Sequence, residues 1–206
     1  KRRLPWRETR DPYHILLSEL MLQQTQVGRV IEKYKQFLQR FPTIESVARA
    51  PLRDILAVWQ GLGYNRRALA LKNLATVVVD HHGGKIPSTI EALKALPCVG
   101  AATAGAVGAF AFNKPVVFIE TNVRSVFIHH FFHDRDGVKD CEILPLVAQT
   151  LDAQKPREWY SALMDYGVAL KYQHPNPSRR SALYTKQSPF EGSLRQVRGM
   201  ILRTLV

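Results

Sequence analysis

Cysteine is almost missing from this sequence: Cys98 and Cys141 are the only two in 206 residues, and they form no Cys-x-x-Cys pair. That excludes a disulfide framework and a cysteine-ligated metal site, and it fits a reducing compartment. Acidic residues are scarce as well. Asp and Glu number 17 against 29 Lys and Arg, which leaves a net charge of +12 although only 22% of the residues are charged. A shortage of acids on that scale makes a polyanion the leading class of partner. No apolar run approaches the roughly eighteen residues that a membrane helix needs, and Glu8, Asp11 and Glu19 interrupt the segment after the basic start. Neither a membrane span nor a signal peptide is expected, so a soluble cytoplasmic protein is the reading. Period-2 strands, internal repeats and low-complexity segments are also missing. The chain starts at Lys1 rather than at a methionine, which reads as a lost N-terminal stretch.

With 46% hydrophobic residues, the chain can bury a core as one large domain or as two small lobes. Its basic residues gather at both ends. Lys1, Arg2, Arg3, Arg7 and Arg10 stand against Glu8, and Lys171, Arg179, Arg180, Lys186, Arg195, Arg198 and Arg203 stand against Glu191. The two ends either share one polyanion-binding surface or form ordinary solvated faces.

Helical periodicity runs throughout and predicts an all-α protein. Asp11 before Pro12 is a helix start. In that helix Ile15, Glu19 and Leu22 fall on one stripe, so the carboxylate lies between two apolar neighbours. Glu19 is therefore either a proton donor whose burial raises its pKa or a glutamate at the wet edge of the stripe. Gln23, Gln24, Thr25 and Gln26 follow, and such amides either face water or enter a base stack. An amphipathic helix is predicted from Val27 to Phe41, and short helices from Thr43 and from Pro51 to Trp59. Gly61, Leu62, Gly63 and Tyr64 open into a long helix over 66–80, which His81, His82, Gly83 and Gly84 end. Ser88 is read as the cap of a helix reaching Leu96. Later helices are predicted from about Asn122 to Phe131, over 140–153 and over 157–170. A basic loop over 175–180 and a last amphipathic helix carrying Leu194, Val197, Met200, Ile201 and Leu205 complete the chain. His129, His130 and His133 with Asp134 and Asp136 have metal-ligand spacing, but the adjacent phenylalanines favour a half-buried helix end.

One stretch organises the rest. From Leu96 to Asn122, Pro97 and Gly100 interrupt a helical pattern, small residues follow from Ala101 to Ala106, and the apolar run Val116 to Ile119 ends at Glu120. That predicts a helix, a tight hairpin with glycine at its bend, and a second helix. The first amides of the second helix lack intrahelical partners and carry the positive end of its dipole, so the bend suits a phosphate.

These motifs carry a resemblance. Leu4-Pro5-Trp6, Ser18-Glu19-Leu20-Met21-Leu22-Gln23-Gln24-Thr25-Gln26-Val27, Gly61-Leu62-Gly63-Tyr64, Leu96-Pro97-Cys98-Val99-Gly100, Thr103-Ala104-Gly105 and Asn122-Val123, in this order, span almost the whole chain. The sequence resembles the helix-hairpin-helix DNA glycosylases, most closely adenine glycosylases of the MutY type. The resemblance implies a two-lobed all-α fold with DNA in the cleft between lobes. One lobe would be 27–121, with the hairpin at about 93–106, and the other 1–26 together with 122–206. It assigns Glu19 as the acid that protonates an extruded purine and Glu120 as the carboxylate that stabilises the oxocarbenium-like sugar. Trp6, Leu22, Gln23, Gln24, Tyr64 and Asn122 match positions at the base pocket or in the duplex wedge. Val99, Gly100, Ala102 and Thr103 match the phosphate-binding hairpin, whose Leu96 and Val99 carbonyls would hold a monovalent cation.

The sequence departs from that pattern at several points. Glu120 stands where the family has a catalytic aspartate, and Cys98 where it usually has another glycine. Ala102 occupies the position of the Schiff-base lysine of bifunctional relatives, so no lyase step is expected there. The four cluster cysteines would fall at Lys171, Ser178, Ser181 and Gln187, so no iron–sulfur cluster is expected and Arg179 and Arg180 would take over its phosphate contacts. The chain stops at Val206, without the further domain that adenine glycosylases use for 8-oxoguanine. The expected activity is monofunctional excision of adenine opposite guanine or 8-oxoguanine from double-stranded DNA by a monomer at the nucleoid. Excision of mispaired thymine or uracil, or of another damaged base, is the alternative of the same class, and a non-catalytic DNA-binding module is the alternative of another class.

Overall fold

The computed structural model describes residues 2–186 and 189–205. Lys1 and Gln187, and the side chains of Arg203 and Leu205, lie outside the described residues. The described chain is helical, and its only β pairing is a single bridge between Val138 and Ser181. No helix among the described residues is long and apolar enough to cross a membrane. Contacts group the chain into two compact units, Leu4–Val107 with Gln187–Val206, and Lys1–Arg3 with Gly108–Lys186.

The first unit begins with a 3-10 turn over Pro5–Arg7 and continues through α1 (Pro12–Leu22), α2 (Val27–Arg40), α3 (Ile44–Arg49), α4 (Leu52–Trp59), α5 (Arg66–His82) and α6 (Ile90–Ala95). Asp11 caps α1 as its sequence requires, accepting from the amides of Tyr13 at 2.8 Å and His14 at 3.1 Å. Tyr13 ties α1 to the end of α2 by donating to the Phe41 carbonyl at 2.8 Å, and its burial raises its pKa. Phe37 and Trp59 meet edge to face at 6.0 Å, so α2 and α4 share one aromatic core. The left-handed Gly83 ends α5, as the glycine pair predicts, although the helix runs to His82. Thr89, not Ser88, caps α6, accepting from the Ala92 amide at 3.3 Å.

Helix α7 (Ala101–Phe112) contains the boundary between the units and is apolar on all sides. The second unit carries α8 (Thr121–Phe131), α9 (Asp140–Thr150), α10 (Pro156–Gln173) and a 3-10 turn over Pro177–Arg180. Its core joins α8 to α10. Between α7 and α8 the chain is extended, and Tyr160 of α10 holds it there. The Tyr160 hydroxyl donates to the Val116 carbonyl at 2.8 Å and accepts from the Phe118 amide at 3.1 Å, while its ring stacks on Phe118 at 4.1 Å. Helix α11 (Leu194–Leu205) closes the chain and belongs to the first unit.

Contact density joins residues 4–26 to α2 and α5, whereas the resemblance counts 1–26 with the C-terminal lobe. The lobe limits 27–121 and 1–26 with 122–206 describe how DNA would be gripped and remain a proposal.

Candidate functional site

In the first unit the candidate residues gather at the C-terminal end of α1. This helix buries Ile15, Leu16, Leu17, Leu20 and Met21, and Glu19 is its only acid, half-buried among them. The amide run follows directly. Gln23 Nε2 donates to Thr103 Oγ1 at 3.4 Å, so the end of α1 meets the second helix of the hairpin. Leu22 is half-buried and Gln24 exposed. Trp6 is buried edge-on against Tyr34 at 5.5 Å.

Backbone strain concentrates here. Among the described residues four non-glycines have positive φ, and three of them lie in the motifs quoted from the sequence: Gln24 at 53°, Tyr64 at 47° and Cys98 at 59°. Such conformations persist only where the surroundings hold them. Arg67, on the first turn of α5, does this for two of the three. It is 7% exposed. One guanidinium nitrogen donates to the carbonyls of Leu20 at 2.9 Å, Met21 at 2.8 Å and Gln23 at 2.5 Å, and the other to Thr25 Oγ1 and the Gly63 carbonyl, each at 3.0 Å. Its guanidinium also lies over the rings of Trp59 and Tyr64, each at 5.5 Å. Burial pulls its pKa down to about 10, which leaves it charged at neutral pH. Composition and motif matching passed over this residue. Its place at i−4 and i−7 from the buried Leu71 and Leu74 was the available signal.

Tyr64 is 39% exposed and accepts from Arg195 of α11 at 3.3 Å, a contact that the sequence, which counted Arg195 only among its basic residues, did not show. In the hairpin, Leu96 and Val99 are buried, Cys98, Gly100 and Ala102 are exposed, and Thr103 is half-buried. The sequence placed Gly100 at the bend; the left-handed residue there is Cys98. The Val99 amide donates to the Leu96 carbonyl at 3.2 Å, and Ala104 is the first amide to bond back within α7, to Gly100 at 2.9 Å.

The second unit holds Glu120 as the cap of α8. Its Oε1 accepts from the amides of Asn122 at 2.8 Å and Val123 at 2.9 Å, and Oε2 accepts from Asn122 Nδ2 at 3.1 Å. Asn122 Oδ1 in turn accepts from Lys171 Nζ at 2.7 Å. Burial lowers the Lys171 pKa, and the neighbouring Glu120 charge opposes that shift. The sequence placed Glu120 and Asn122 together, but not Lys171. The basic loop is divided. Arg179 is exposed, while Arg180 turns back to the carbonyls of Phe132 and His133 at the end of α8. His129 packs on His174 at 4.7 Å, and His130 Nε2 lies 2.8 Å from the Tyr166 hydroxyl. Among the described residues no three metal-binding side chains lie close enough to hold a metal.

Residues 17–144 match the family described as HhH-GPD superfamily base excision DNA repair protein. The chain belongs to this superfamily. It is 35% identical over 234 aligned residues to the adenine DNA glycosylase of Mycobacterium tuberculosis, an alignment covering 99% of this chain and 74% of that one. It is 33% identical over 173 residues to the thymine/uracil-DNA glycosylase of Methanothermobacter thermautotrophicus, covering 82% of this chain and 78% of that one. A solved structure of a thermostable thymine-DNA glycosylase superposes with a TM-score of 0.76 at 29% identity, covering 85% of this chain and 82% of the other.

The positions that the resemblance assigns to cluster cysteines do not fit an iron–sulfur cluster here. Lys171 is bonded to Asn122, the Ser178 hydroxyl donates to Asn176 Oδ1 at 2.8 Å, and the Ser181 hydroxyl accepts from the Leu183 amide at 3.1 Å. None of these side chains is a thiolate, the donor such clusters need. Main-chain pairing joins the segment to the rest of the unit instead, with the Val138 amide bonded to the Arg180 carbonyl at 3.0 Å and the Ala182 amide to the Val138 carbonyl at 2.9 Å.

Proposed function

We propose that the protein is a monofunctional DNA N-glycosylase that hydrolyses the N-glycosidic bond of an extruded adenine opposite guanine or 8-oxoguanine in double-stranded DNA. Glu19 carries this reading: it is a half-buried carboxylate on an otherwise apolar helix end, followed at once by amides and clamped loops suited to a duplex. It donates a proton to the base as the C–N bond breaks, and the bonding electrons leave with the base. Glu120 stabilises the positive charge that develops on the sugar until water adds at the anomeric carbon and passes its proton to a carboxylate, Glu19 having been left ionised by the first step. Its Oε2 accepts one bond and keeps a lone pair for that task. Base extrusion precedes chemistry, and Gln24 and Tyr64 act as the wedge, with Trp6, Leu22, Gln23 and Asn122 near the extruded nucleotide.

The hairpin amides of Gly100, Ala102 and Thr103 bind a backbone phosphate, whereas the Val99 amide, which the sequence grouped with them, is already given to the Leu96 carbonyl. A Cβ added at Gly100 would meet nothing in the chain within 4 Å, so the protein's own packing does not demand a glycine there, whereas a closely approaching phosphate would. The Leu96 and Val99 carbonyls are where a monovalent cation would sit. With alanine at position 102 no lysine-dependent lyase step follows from that site. The enzyme acts as a monomer on cytoplasmic, nucleoid DNA. Excision of thymine or uracil opposite guanine is the second reading, favoured by the likeness to the thymine/uracil enzyme.

Incubation with duplexes carrying A, T or U opposite G or 8-oxoguanine, followed by alkali, tests both. Alkali-dependent breaks at A support the first reading, and breaks at T or U the second. Unbroken strands in every duplex would leave a DNA-binding module without catalysis.

A further inference from the structure

Two residues one turn apart on α10 converge on Asn122, and neither is accounted for by the chemistry above. A Cβ built on Gly167 would lie 2.5 Å from the Asn122 carbonyl oxygen, so only glycine lets the backbone of α10 rest against the start of α8. Four residues later Lys171 extends along the same helix face and donates to Asn122 Oδ1 at 2.7 Å. Between them they fix both the main chain and the side chain of Asn122.

We propose that Lys171 is a positioning residue for Glu120, acting through the Asn122 side chain, at a position that the resemblance assigns to a cluster cysteine. This rests on the reading of Glu120 as the sugar-stabilising carboxylate. The argument is one of donors and acceptors. An ammonium has hydrogens to give and no lone pair, and a carboxylate has lone pairs and no hydrogen. An amide between the two is orientated by its neighbours: Oδ1 must face Lys171 and Nδ2 must face Glu120, as observed at 2.7 and 3.1 Å. Without the ammonium, the flipped amide, with Oδ1 facing the carboxylate, loses its penalty. Glu120 Oε1 would keep its two main-chain bonds as the cap of α8. Oε2 would lose the bond that sets its rotation. Lys171 therefore aims the oxygen that the proposed chemistry uses, while the helix cap is indifferent to it. The other charge acting on this ammonium is Arg2 from the N-terminal segment, which is itself paired with Asp165 of α10 at 2.7 Å.

The test uses the full chain and single-turnover excision of the base that the parent removes, with affinity measured on a duplex carrying an uncleavable sugar at that position. Lys171→Met should slow excision about 10- to 100-fold, the range expected when a reacting group is misaimed, with affinity and melting temperature little changed. Lys171→Arg, which keeps a cationic donor, should recover most of that loss. Asn122→Ala should slow excision comparably, and adding Lys171→Met to it should cost little more, because both act through one side chain. Excision by Lys171→Met within twofold of the parent would overturn the proposal. So would losses that multiply in the double variant, or a Lys171→Arg protein that folds and shows no recovery. If Lys171→Met fails to fold, the Lys171→Arg and Asn122→Ala proteins decide, with a full loss in the former counting against the proposal. A parent that excises nothing refutes the glycosylase reading instead, and so is told apart.

Discussion

Arg67 donates to the carbonyl oxygen of Met21 at 2.8 Å, two residues beyond Glu19 in the sequence. The same guanidinium holds Gln23 and Gly63, the neighbours of the left-handed Gln24 and Tyr64. Removing it leaves the buried Leu20 and Met21 carbonyls without this donor. Arg67→Met should lower stability by about 3 kcal/mol, since each buried unsatisfied group costs roughly 1–3 kcal/mol. Excision should fall further than the lost stability explains, because both loops of the proposed wedge are released. Denaturant unfolding measures the first effect and single-turnover kinetics at a permissive temperature the second. A variant as stable as the parent would mean that water replaces the clamp.

The two carboxylates should separate under substitution. Glu19→Gln removes the proton but keeps shape and hydrogen bonding, so excision should vanish while duplex affinity stays within about threefold. Glu120→Gln retains an acceptor for the α8 cap but loses the charge, and should slow excision by about a hundredfold or more. Equal excision by Glu19→Gln and the parent would show that another group supplies the proton.

Legibility from sequence followed the range of each interaction. The Asp11 cap, the α2 stripe and the Pro97–Gly100 hairpin depend on neighbours a few residues away, and all were readable. The amide run was read as a motif, but its bond to Thr103 spans 80 residues and was not. Likewise Lys171 and Asn122 are 49 residues apart, and only folding brings them together. Arg67 looked like one more basic residue in a basic chain. Its register with Leu71 and Leu74 placed it on the buried face, where a charge must have partners. The misplaced cap at Ser88 shows the limit of local reading, because the adjacent Thr89 offers the same chemistry one residue later.

Cys98 holds a φ of 59°, a conformation that costs a non-glycine residue about 1 kcal/mol or more. Cys98→Gly should therefore raise the melting temperature by about 2–4 °C, the shift that about 1 kcal/mol produces in a chain of this size. Cys98→Val should lower it, because a β-branched side chain tolerates positive φ least. Calorimetry on both variants checks the pair, and a destabilised glycine variant would mean that the thiol makes a compensating contact.

The histidine cluster gives a pH dependence with a defined sign. Burial lowers the His129 pKa below its ordinary 6.5, with further contributions from His130, His174, Arg180 and His133. A group with a depressed folded-state pKa binds fewer protons when folded than when unfolded. Stability is therefore present above 6.5 and is lost as pH falls through the lowered value. Melting temperature should drop between about pH 7.5 and about pH 5, and the drop should shrink in His129→Gln. Identical profiles for the two proteins would assign the acid sensitivity elsewhere.

Arg179 and Arg180 are neighbours with different work to do. Arg180 bonds the Phe132 and His133 carbonyls and so closes the end of α8, while Arg179 is exposed. An arginine that meets a phosphate displaces about one counterion, so Arg179→Ala should reduce the slope of log affinity against log salt by about 1 and leave the melting temperature unchanged. Arg180→Ala should do the reverse, lowering stability by about 1 kcal/mol through the lost bond to the His133 carbonyl with little change in slope. Titrations of each single variant across a salt series, paired with thermal melts, separate the roles that a double substitution would blur. If Arg180→Ala alone flattens the slope, its guanidinium reaches DNA despite its main-chain bonds, and the cap of α8 is secondary.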